Sequence, residues 1–380
     1  ERPGRKLRIT GKGRCNVTNA TFDLQGLLEH IPTNPRFLYS AFSNFMPYDT
    51  IALMEDLGVP TKIERGERVF PVSDNATDIV DALVRRAKNA GVQFLQGTVE
   101  RLELTEDGRR IQAGHLTDGR RLTCHSVALC TGGCSYPATG STGDGYTFAR
   151  QCGHTIVPIR PALVPLVCDN NFIPELQGLS LRNVEIRVTQ GNKEVYTDFG
   201  EMLFTHYGVS GPVVLSASSH LTQPERGVYN LHIDLKPALA FDVLDRRVQR
   251  DFSALQNKDL INALGGLLPR KLIPVFVRRS GLEPGKKVNQ ISREERHALV
   301  RLMKDFAVHI TDFRPVEEAI VTAGGRCRQR LWAPSWWRIC ILPARCWMWM
   351  AIPAGSICRL HFPPAPCAAK TCNFKRGIFL

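Results

Sequence analysis

The chain has 380 residues, of which 43% are hydrophobic and 22% charged, a globular composition that excludes a wholly disordered protein. Its formal charge of +13 would indicate an anionic partner only if that charge were spread over the fold. Residues 1–325 hold 40 Lys and Arg against 36 Asp and Glu, whereas residues 326–380 hold nine Lys and Arg and no acid. A basic nucleic-acid-binding or membrane-binding module is therefore the weaker alternative.

Targeting and redox signals are sparse in this sequence. No stretch approaches the roughly 18 to 20 apolar residues of a membrane span, and the first residues lack the apolar core of a signal peptide, so we expect a cytoplasmic protein. The cysteines before residue 326 lack the paired spacing of a metal site or a disulfide framework, which favours buried thiols and no metal. They are Cys15, Cys124, Cys130, Cys134, Cys152 and Cys168.

The first hundred residues contain one strong helix signal. Residues 1–20 are Gly-rich and aperiodic, which predicts a loop, and helical spacing predicts helices over 36–45 and 48–57. A further helix is predicted to be capped by residues 75–78 and to end at Gly91. Its apolar face comprises Ile79, Val80, Leu83, Val84 and Ala87.

Short β-type segments follow this helix. They predict strands over 92–95 and 98–105, a hairpin of 109–113 with 120–124, and an apolar strand over 126–130. A helix is predicted over 144–151. Alternating segments at 163–168, 183–189 and 195–199 then predict a small antiparallel sheet, helical spacing returns between 238 and 306, and 319–322 predicts a return strand.

The first string with chemical character runs from Pro3 to Asn19. Gly11 and Gly13 would let backbone amides approach an anion, while the basic side chains of Arg5, Lys6, Lys12 and Arg14 supply charge for phosphate oxygens. The string therefore predicts a pyrophosphate site. A solvated basic turn is the alternative, because Gly-x-Gly alone is a weak signal.

Two more strings indicate ligand contact. The strand over 126–130 runs into Thr131, Gly132 and Gly133, which predicts close approach of a ligand at the carboxyl edge of a sheet; a tight turn is the alternative. In the string over 203–212, Ser210 is predicted to cap a short helix. His206 is a candidate for a substrate cleft, although a lone His is more often structural.

In this order, the three strings resemble the bacterial NAD(P)/FAD-dependent oxidoreductases of the aminoacetone oxidase and dehydro-bile-acid reductase-like flavoprotein family, over residues 1–325. In that family a βαβ unit with Gly-x-Gly-x-x-Gly precedes the Pro-Gly-Arg-Lys string, so it would lie before Glu1. We therefore expect the chain as printed to bind FAD weakly or not at all and to be inactive, whereas its full-length, in-frame parent would bind FAD.

The resemblance implies an α/β fold, with a Rossmann-like FAD-binding domain, an inserted antiparallel β domain and a helical subdomain. The predicted ranges are 1–157 for the FAD-binding domain, 158–237 for the inserted β domain, 238–306 for the helical subdomain, 307–325 for a return to the FAD-binding domain and 326–380 for an aberrant tail.

The resemblance also implies FAD as cofactor, with NAD(P)H passing hydride through flavin N5 to an unknown small-molecule acceptor. Residues 5–16 would lie between pyrophosphate and isoalloxazine, Val99 near adenine, and residues 131–133 under the dinucleotide. The implied FAD-binding residues are Arg5, Lys6, Gly11, Lys12, Gly13, Arg14, Cys15, Asn16, Val99, Thr131, Gly132 and Gly133. No catalytic acid or base is assigned, and we expect neither nucleic acid nor membrane as partner. A non-catalytic flavin-binding protein stays open.

Residues 326–380 have a composition of their own, with all five Trp and six of the twelve Cys. Trp and Met each have a single codon, so residues 346–351 fix nearly every base of the message. In another frame those bases encode Leu-Asp-Val-Asp-Gly, which is similar to the closing string of the family. We hypothesise that the chain after about Gly325 is translated out of frame; a genuine Cys/Trp-rich metal or membrane segment is the alternative.

This hypothesis predicts a small insertion or deletion in the message close to the codon of Gly325. Sequencing of the message checks it, and the restored frame is expected to encode acidic residues where the printed tail has none. A continuous frame through the same region would contradict the hypothesis.

Overall fold

The computed structural model describes residues 3–31, 35–108, 110–222 and 224–325, and the backbone of residues 327–328 and 377–379. The chain divides into two units, Glu1–Arg160 with Val321–Leu380, and Pro161–Ile320. Apart from its two short strands, the tail lies outside the described residues. No helix among the described residues is long and apolar enough to cross a membrane.

The α-helices are short and lie in both units. In chain order they are α1 (Arg5–Ile9), α2 (Leu24–Glu29), α3 (Tyr39–Asn44), α4 (Pro47–Asp56), α5 (Ala76–Asn89), α6 (Asp144–Gln151), α7 (Pro212–Ser218), α8 (Phe241–Ala254), α9 (Leu260–Ala263), α10 (Ile273–Ser280) and α11 (Arg293–Lys304).

The β-strands are mostly antiparallel. In chain order they are β1 (Thr18–Asn19), β2 (Thr61–Glu64), β3 (Arg68–Pro71), β4 (Val99–Leu104), β5 (Ile111–Leu116), β6 (Arg121–Thr123), β7 (Ser126–Ala128), β8 (Thr155–Ile156), β9 (Arg160–Ala162), β10 (Leu166–Cys168), β11 (Ser180–Gln190), β12 (Lys193–Phe204), β13 (Gly208–Ser210), β14 (Tyr229–Asp234), β15 (Phe306–Phe313), β16 (Val321–Ala323), β17 (Cys327–Arg328) and β18 (Gly377–Phe379).

Small sheets organise the first unit. The described residues form one sheet in the order β1-β3-β2 and another in the order β4-β5-β6, and β7 pairs in parallel with β18. The predicted helices α5 and α6 are confirmed. The Asn75 side chain accepts a hydrogen bond from the Thr77 amide, as a cap should, and the apolar side of α5 buries Ile79 and Val80.

Two predictions for the first unit are wrong. Residues 1–20 are not a loop throughout, because α1 packs against α5, a tertiary contact that has no periodic signal in so short a helix. Residues 92–95 form no strand. Val92, Phe94 and Leu95 are exposed, and no sheet of the described residues includes them. A strand needs a neighbour to satisfy its backbone hydrogen bonds, so apolar sequence alone does not produce one.

A closed barrel dominates the second unit. Within its described residues the strand order is β10-β13-β12-β11-β14-β15, with every neighbouring pair antiparallel. Alternate residues of β11, such as Val184, Ile186 and Val188, point into the core. The predicted strands are therefore confirmed, but the small sheet is a closed barrel, which removes unpaired strand edges.

The boundaries of the structure in the second unit differ from the predicted domain ranges. Phe306–Phe313 pairs with β14 and buries Phe306, Val308 and Ile310, so this strand belongs to the barrel rather than to a return segment starting at residue 307. Helices α8 to α11 share one hydrophobic core with the barrel. The helix predicted after Ser210 is α7, but its cap is Gly211, with a φ of 100°, and no side chain caps it.

Arg279 ties helix α10 to strand β15. Its guanidinium lies 4.9 Å from the ring centroid of Phe172 and 4.3 Å from that of Phe306. Its Nη1 donates a hydrogen bond to the Ala307 carbonyl oxygen, at a distance of 2.7 Å. A half-buried cation between two aromatic faces combines cation–π attraction with a charge-assisted hydrogen bond.

We expect Arg279→Ala to lower the free energy of unfolding by about 1–3 kcal/mol, since both interactions are lost and a carbonyl oxygen loses its donor. Urea denaturation measures the change. Arg278→Ala is the matched control, because Arg278 is exposed and its ion pair with Glu175 lies at the surface, where pairs contribute about 0–1 kcal/mol. Equal effects of the two substitutions would contradict the assignment.

Candidate functional site

A cleft of about 480 Å³ in the first unit brings two of the predicted strings together. It is lined by residues 3–7 and Thr10, and by residues 130–132 and 139–141. Apolar side chains of α5 and Phe94 complete the lining. The volume falls within the range of about 300–1,000 Å³ that is typical of small-molecule sites.

Close contact between Gly4 and α5 sets one wall of this cleft. Gly4 has a φ of 71°, and a Cβ built there would lie 2.8 Å from Cγ1 of Val80, so no other residue fits. The Arg8 side chain donates to Oγ1 of Thr77 and to Oδ1 of Asp81, at a distance of 3.0 Å in each case. These contacts fix α1, and with it Arg5 and Lys6, against α5.

Lys6 joins the two sides of the cleft. Its Nζ donates to the carbonyl oxygen of Ser135 and to Oγ of Ser141, at a distance of 2.7 Å in each case. Both serines are buried. Thr131, which also lines the cleft, accepts a hydrogen bond at Oγ1 from the Gly145 amide at the start of α6. The two distant strings are therefore linked by side-chain hydrogen bonds.

The glycine-rich turn after α1 lies outside the cleft lining. Gly11, Lys12, Gly13 and Cys15 all have positive φ, so the chain here makes a tight left-handed turn. Lys12 is exposed, and Cys15 is buried, which raises the pKa of its thiol. Of the FAD-binding residues predicted between positions 5 and 16, the structure places Arg5 and Lys6 on the cleft and not the others. Leu7 and Thr10, which were not predicted, also line it, and Asn16 follows the turn.

Arg14 makes ion pairs within its own unit. Its Nη2 lies 2.5 Å from Oε1 of Glu64 and 2.6 Å from Oδ1 of Asp74, and its guanidinium lies 4.1 Å from the Phe70 ring centroid. Lys62 also forms an ion pair with Asp74, with Nζ 2.7 Å from Oδ2. The hydrogen bond from Arg14 lowers the pKa of Glu64, and those from Lys62 and Arg14 lower the pKa of Asp74. These partners hold the turn on the β2–β3 hairpin.

The remaining predicted residues divide as follows. Thr131 and Gly132 line the cleft, whereas the buried Gly133 and Val99, the first residue of β4, do not. His206 lies in the other unit, exposed, with its ring edge-on to Tyr207 at 4.8 Å.

Sequence reasoning did not predict the apolar wall of the cleft. Leu83, Val84 and Ala87 of α5 were predicted as core, but they are only partly buried and line the cleft with Phe94. Ser141 was also missed. The only sequence signal for it was its place in the Gly-Ser-Thr-Gly string, which indicates a tight main-chain turn and no particular side-chain role.

Comparison with known proteins now adds to this geometry. A family model described as the HI0933-like protein Rossmann domain matches residues 1–331. The chain belongs to the HI0933-like Rossmann flavoprotein family. The match supports an α/β fold of the Rossmann type for this HI0933-like protein.

Several curated proteins are similar to this HI0933-like chain. A 3-dehydro-bile acid delta(4,6)-reductase from Clostridium scindens is 29% identical over 331 residues, covering 86% of this chain and 78% of the relative. A ribosomal RNA dihydrouridine synthase from Escherichia coli is 31% identical over 326 residues, covering 86% and 77%. A protein of the same name from Haemophilus influenzae is 28% identical, covering 85% and 77%.

The ion pairs of Arg14 predict an acid-sensitive contribution to stability. Because the folded-state pKa values of Glu64 and Asp74 are depressed, this contribution is present above their unfolded pKa values of about 4 and is lost as the pH falls through the folded values. We expect Arg14→Met to destabilise the protein at neutral pH, and we expect its difference from the unsubstituted chain to shrink below about pH 4.

Chemical denaturation at a series of pH values measures this difference. Arg68→Met is the control, since Arg68 also lies over Phe70, at 5.8 Å, but its Nε donates to the Arg65 carbonyl oxygen. If the effect of Arg14→Met did not change with pH, the side chain would act through its stack on Phe70 and not through its ion pairs.

Proposed function

We propose that this protein is an FAD-dependent oxidoreductase that takes hydride from NAD(P)H and reduces a carbon–carbon double bond conjugated to a carbonyl. The observation that carries the proposal is the cleft that joins Arg5 and Lys6 to Thr131 and Gly132 in a member of a Rossmann flavoprotein family.

The residues of the cleft fit the polar part of FAD. Arg5 and Lys6 bring positive charge to the cleft, and Thr139 and Ser141 bring hydroxyl groups. Gly140 has a φ of 95°, and no heavy atom lies within 4 Å of the position of its missing Cβ, so the main chain is accessible to a bulky anionic group. This donor set is suited to phosphate oxygens.

The opposite wall of the cleft fits an aromatic ring. Leu83, Val84 and Phe94 present partly exposed apolar surface, which a planar heterocycle would cover. A dinucleotide requires phosphate-binding groups and an apolar surface in the same cleft, and this lining provides both.

The protein and its cofactor divide the work of the proposed reaction. When bound, FAD supplies a carrier that accepts hydride at N5 and gives it to the acceptor. The side chains of the cleft bind the phosphates, orient the cofactor and exclude water from it. The proton that completes the reduction at the α-carbon comes from solvent, and we assign no residue as its donor.

The proposed acceptor class draws on the names of the relatives. One relative is named for reduction of delta(4,6) double bonds in a 3-dehydro-bile acid, and others for making dihydrouridine in ribosomal RNA. Both names denote addition of hydrogen to an unsaturated carbonyl compound. A small enone is the first candidate, in keeping with the expectation of a small-molecule substrate, and uridine in ribosomal RNA is the second.

Turnover assays separate these possibilities. The purified chain, saturated with FAD, is mixed with NADH or NADPH and either a steroid enone or an unmodified ribosomal RNA fragment, and oxidation of the nicotinamide is followed by absorbance. Product analysis for the saturated steroid or for dihydrouridine identifies the acceptor. FAD binding without turnover on either acceptor would support the non-catalytic alternative. Absence of FAD binding by the in-frame parent that carries the preceding βαβ unit would contradict the proposal.

A pair of glycine substitutions tests whether the cleft is the FAD site. Gly140 and Gly153 both have positive φ and open space at the Cβ position, so leucine imposes comparable backbone strain at each, but only Gly140 lines the cleft. We expect Gly140→Leu to weaken FAD binding by about tenfold or more, and Gly153→Leu to leave it within about twofold, by flavin fluorescence titration. Equal losses in the two variants would place the cofactor elsewhere.

A further inference from the structure

We infer that Lys6 is a positioning residue that holds one rim of the cleft in place and acts on the cofactor through Ser141. The rim loop is here defined as residues 135–141. The inference rests on the proposed function, because it takes the cleft to be the cofactor site, and it assigns Lys6 a role different from that of a phosphate ligand.

Hydrogen-bond geometry supports this role. The Lys6 ammonium lies 2.7 Å from the Ser135 carbonyl oxygen, 2.7 Å from Ser141 Oγ and 3.4 Å from Ser135 Oγ. These acceptors lie at the two ends of the rim loop, and one ammonium group can donate to several acceptors at once. Lys6 therefore holds both ends of the loop at one point.

The rim loop needs such support. Tyr136 has a φ of 50°, which is strained for a residue with a side chain, and Gly140 has a φ of 95°. Strained backbone persists only when surrounding contacts hold it. Ser135 and Ser141 are 1% and 5% exposed, so their polar groups need partners within the protein, and Lys6 is a partner to both.

Helix α1 gives Lys6 a rigid base. Gly4 lies against Val80, and Arg8 is bonded to Thr77 and Asp81, so the helix that carries Lys6 is fixed on α5. The bonds of Lys6 thus transmit the position of α5 to the rim loop, which includes Gly140. They set the spacing between the apolar wall and the polar rim of the cleft.

A double-mutant cycle tests the inference. The variants are Lys6→Met, Ser141→Ala and the pair, with Lys88→Met as control, since Lys88 is an exposed lysine of the same unit that does not line the cleft. FAD affinity is measured by flavin fluorescence, and hydrogen exchange of residues 135–141 is measured in the full chain without added FAD.

If Lys6 positions the rim, each single substitution is expected to weaken FAD binding by roughly tenfold, and the double substitution to be no worse than about the larger single effect. Exchange in the rim loop accelerates in all three variants, and Lys88→Met changes neither measurement. Ser141→Ala keeps the test informative if Lys6→Met does not fold.

A direct phosphate ligand would behave differently. Lys6→Met would then weaken FAD binding and reduce its salt dependence without accelerating exchange in the rim loop, and its effect on affinity would add to that of Ser141→Ala. This result would overturn the inference and leave the proposed function intact. If the in-frame parent with its preceding βαβ unit does not bind FAD, the proposed function fails. Unchanged exchange in the Lys6→Met variant of this chain would overturn the role of Lys6 independently of FAD binding.

Discussion

The approach of Gly4 to Val80 is the constraint on which the candidate site depends. Gly4 has no side chain, so its main chain can approach Val80 and α1 can lie directly on α5. The Cβ of any other residue at this position would lie 2.8 Å from Cγ1 of Val80. Short helices are not stable on their own, and α1 has only five residues. Its conformation is therefore a consequence of packing, and the positions of Arg5 and Lys6 follow from that contact.

The basic string that begins at Pro3 carries out two physical tasks that its sequence does not separate. Its first part faces the cleft, where Arg5 and Lys6 lie. Beyond the left-handed turn, Arg14 instead balances Glu64 and Asp74 and stacks on Phe70. The residues after the turn thus fix the string to the β2–β3 hairpin, which leaves the residues before it to face a ligand.

Local signals in the sequence predicted the elements whose stability is local. Helix α5 has a cap and an apolar face within its own residues, and α6 and three of the barrel strands, β10, β11 and β12, were also predicted, whereas β13, β14 and β15 were not. Long-range features were not predictable from one sequence, because closure of the barrel through Phe306–Phe313 and the carboxylate partners of Arg14 depend on residues distant in the chain. The failed strand over 92–95 belongs to the same class, since its apolar residues lack a neighbouring strand.

The two units differ in how their apolar residues are buried. Among the described residues, one continuous core joins the barrel to α8–α11, whereas the buried side chains of the first unit fall into separate small clusters. Leu83, Val84 and Phe94 are left partly exposed at the cleft between such clusters. A ligand that covers this wall removes apolar surface from water, at about 25 cal/mol for each Å². Binding and folding of the first unit are therefore linked: a ligand in the cleft stabilises the folded unit, and any change that loosens the unit weakens the ligand's binding.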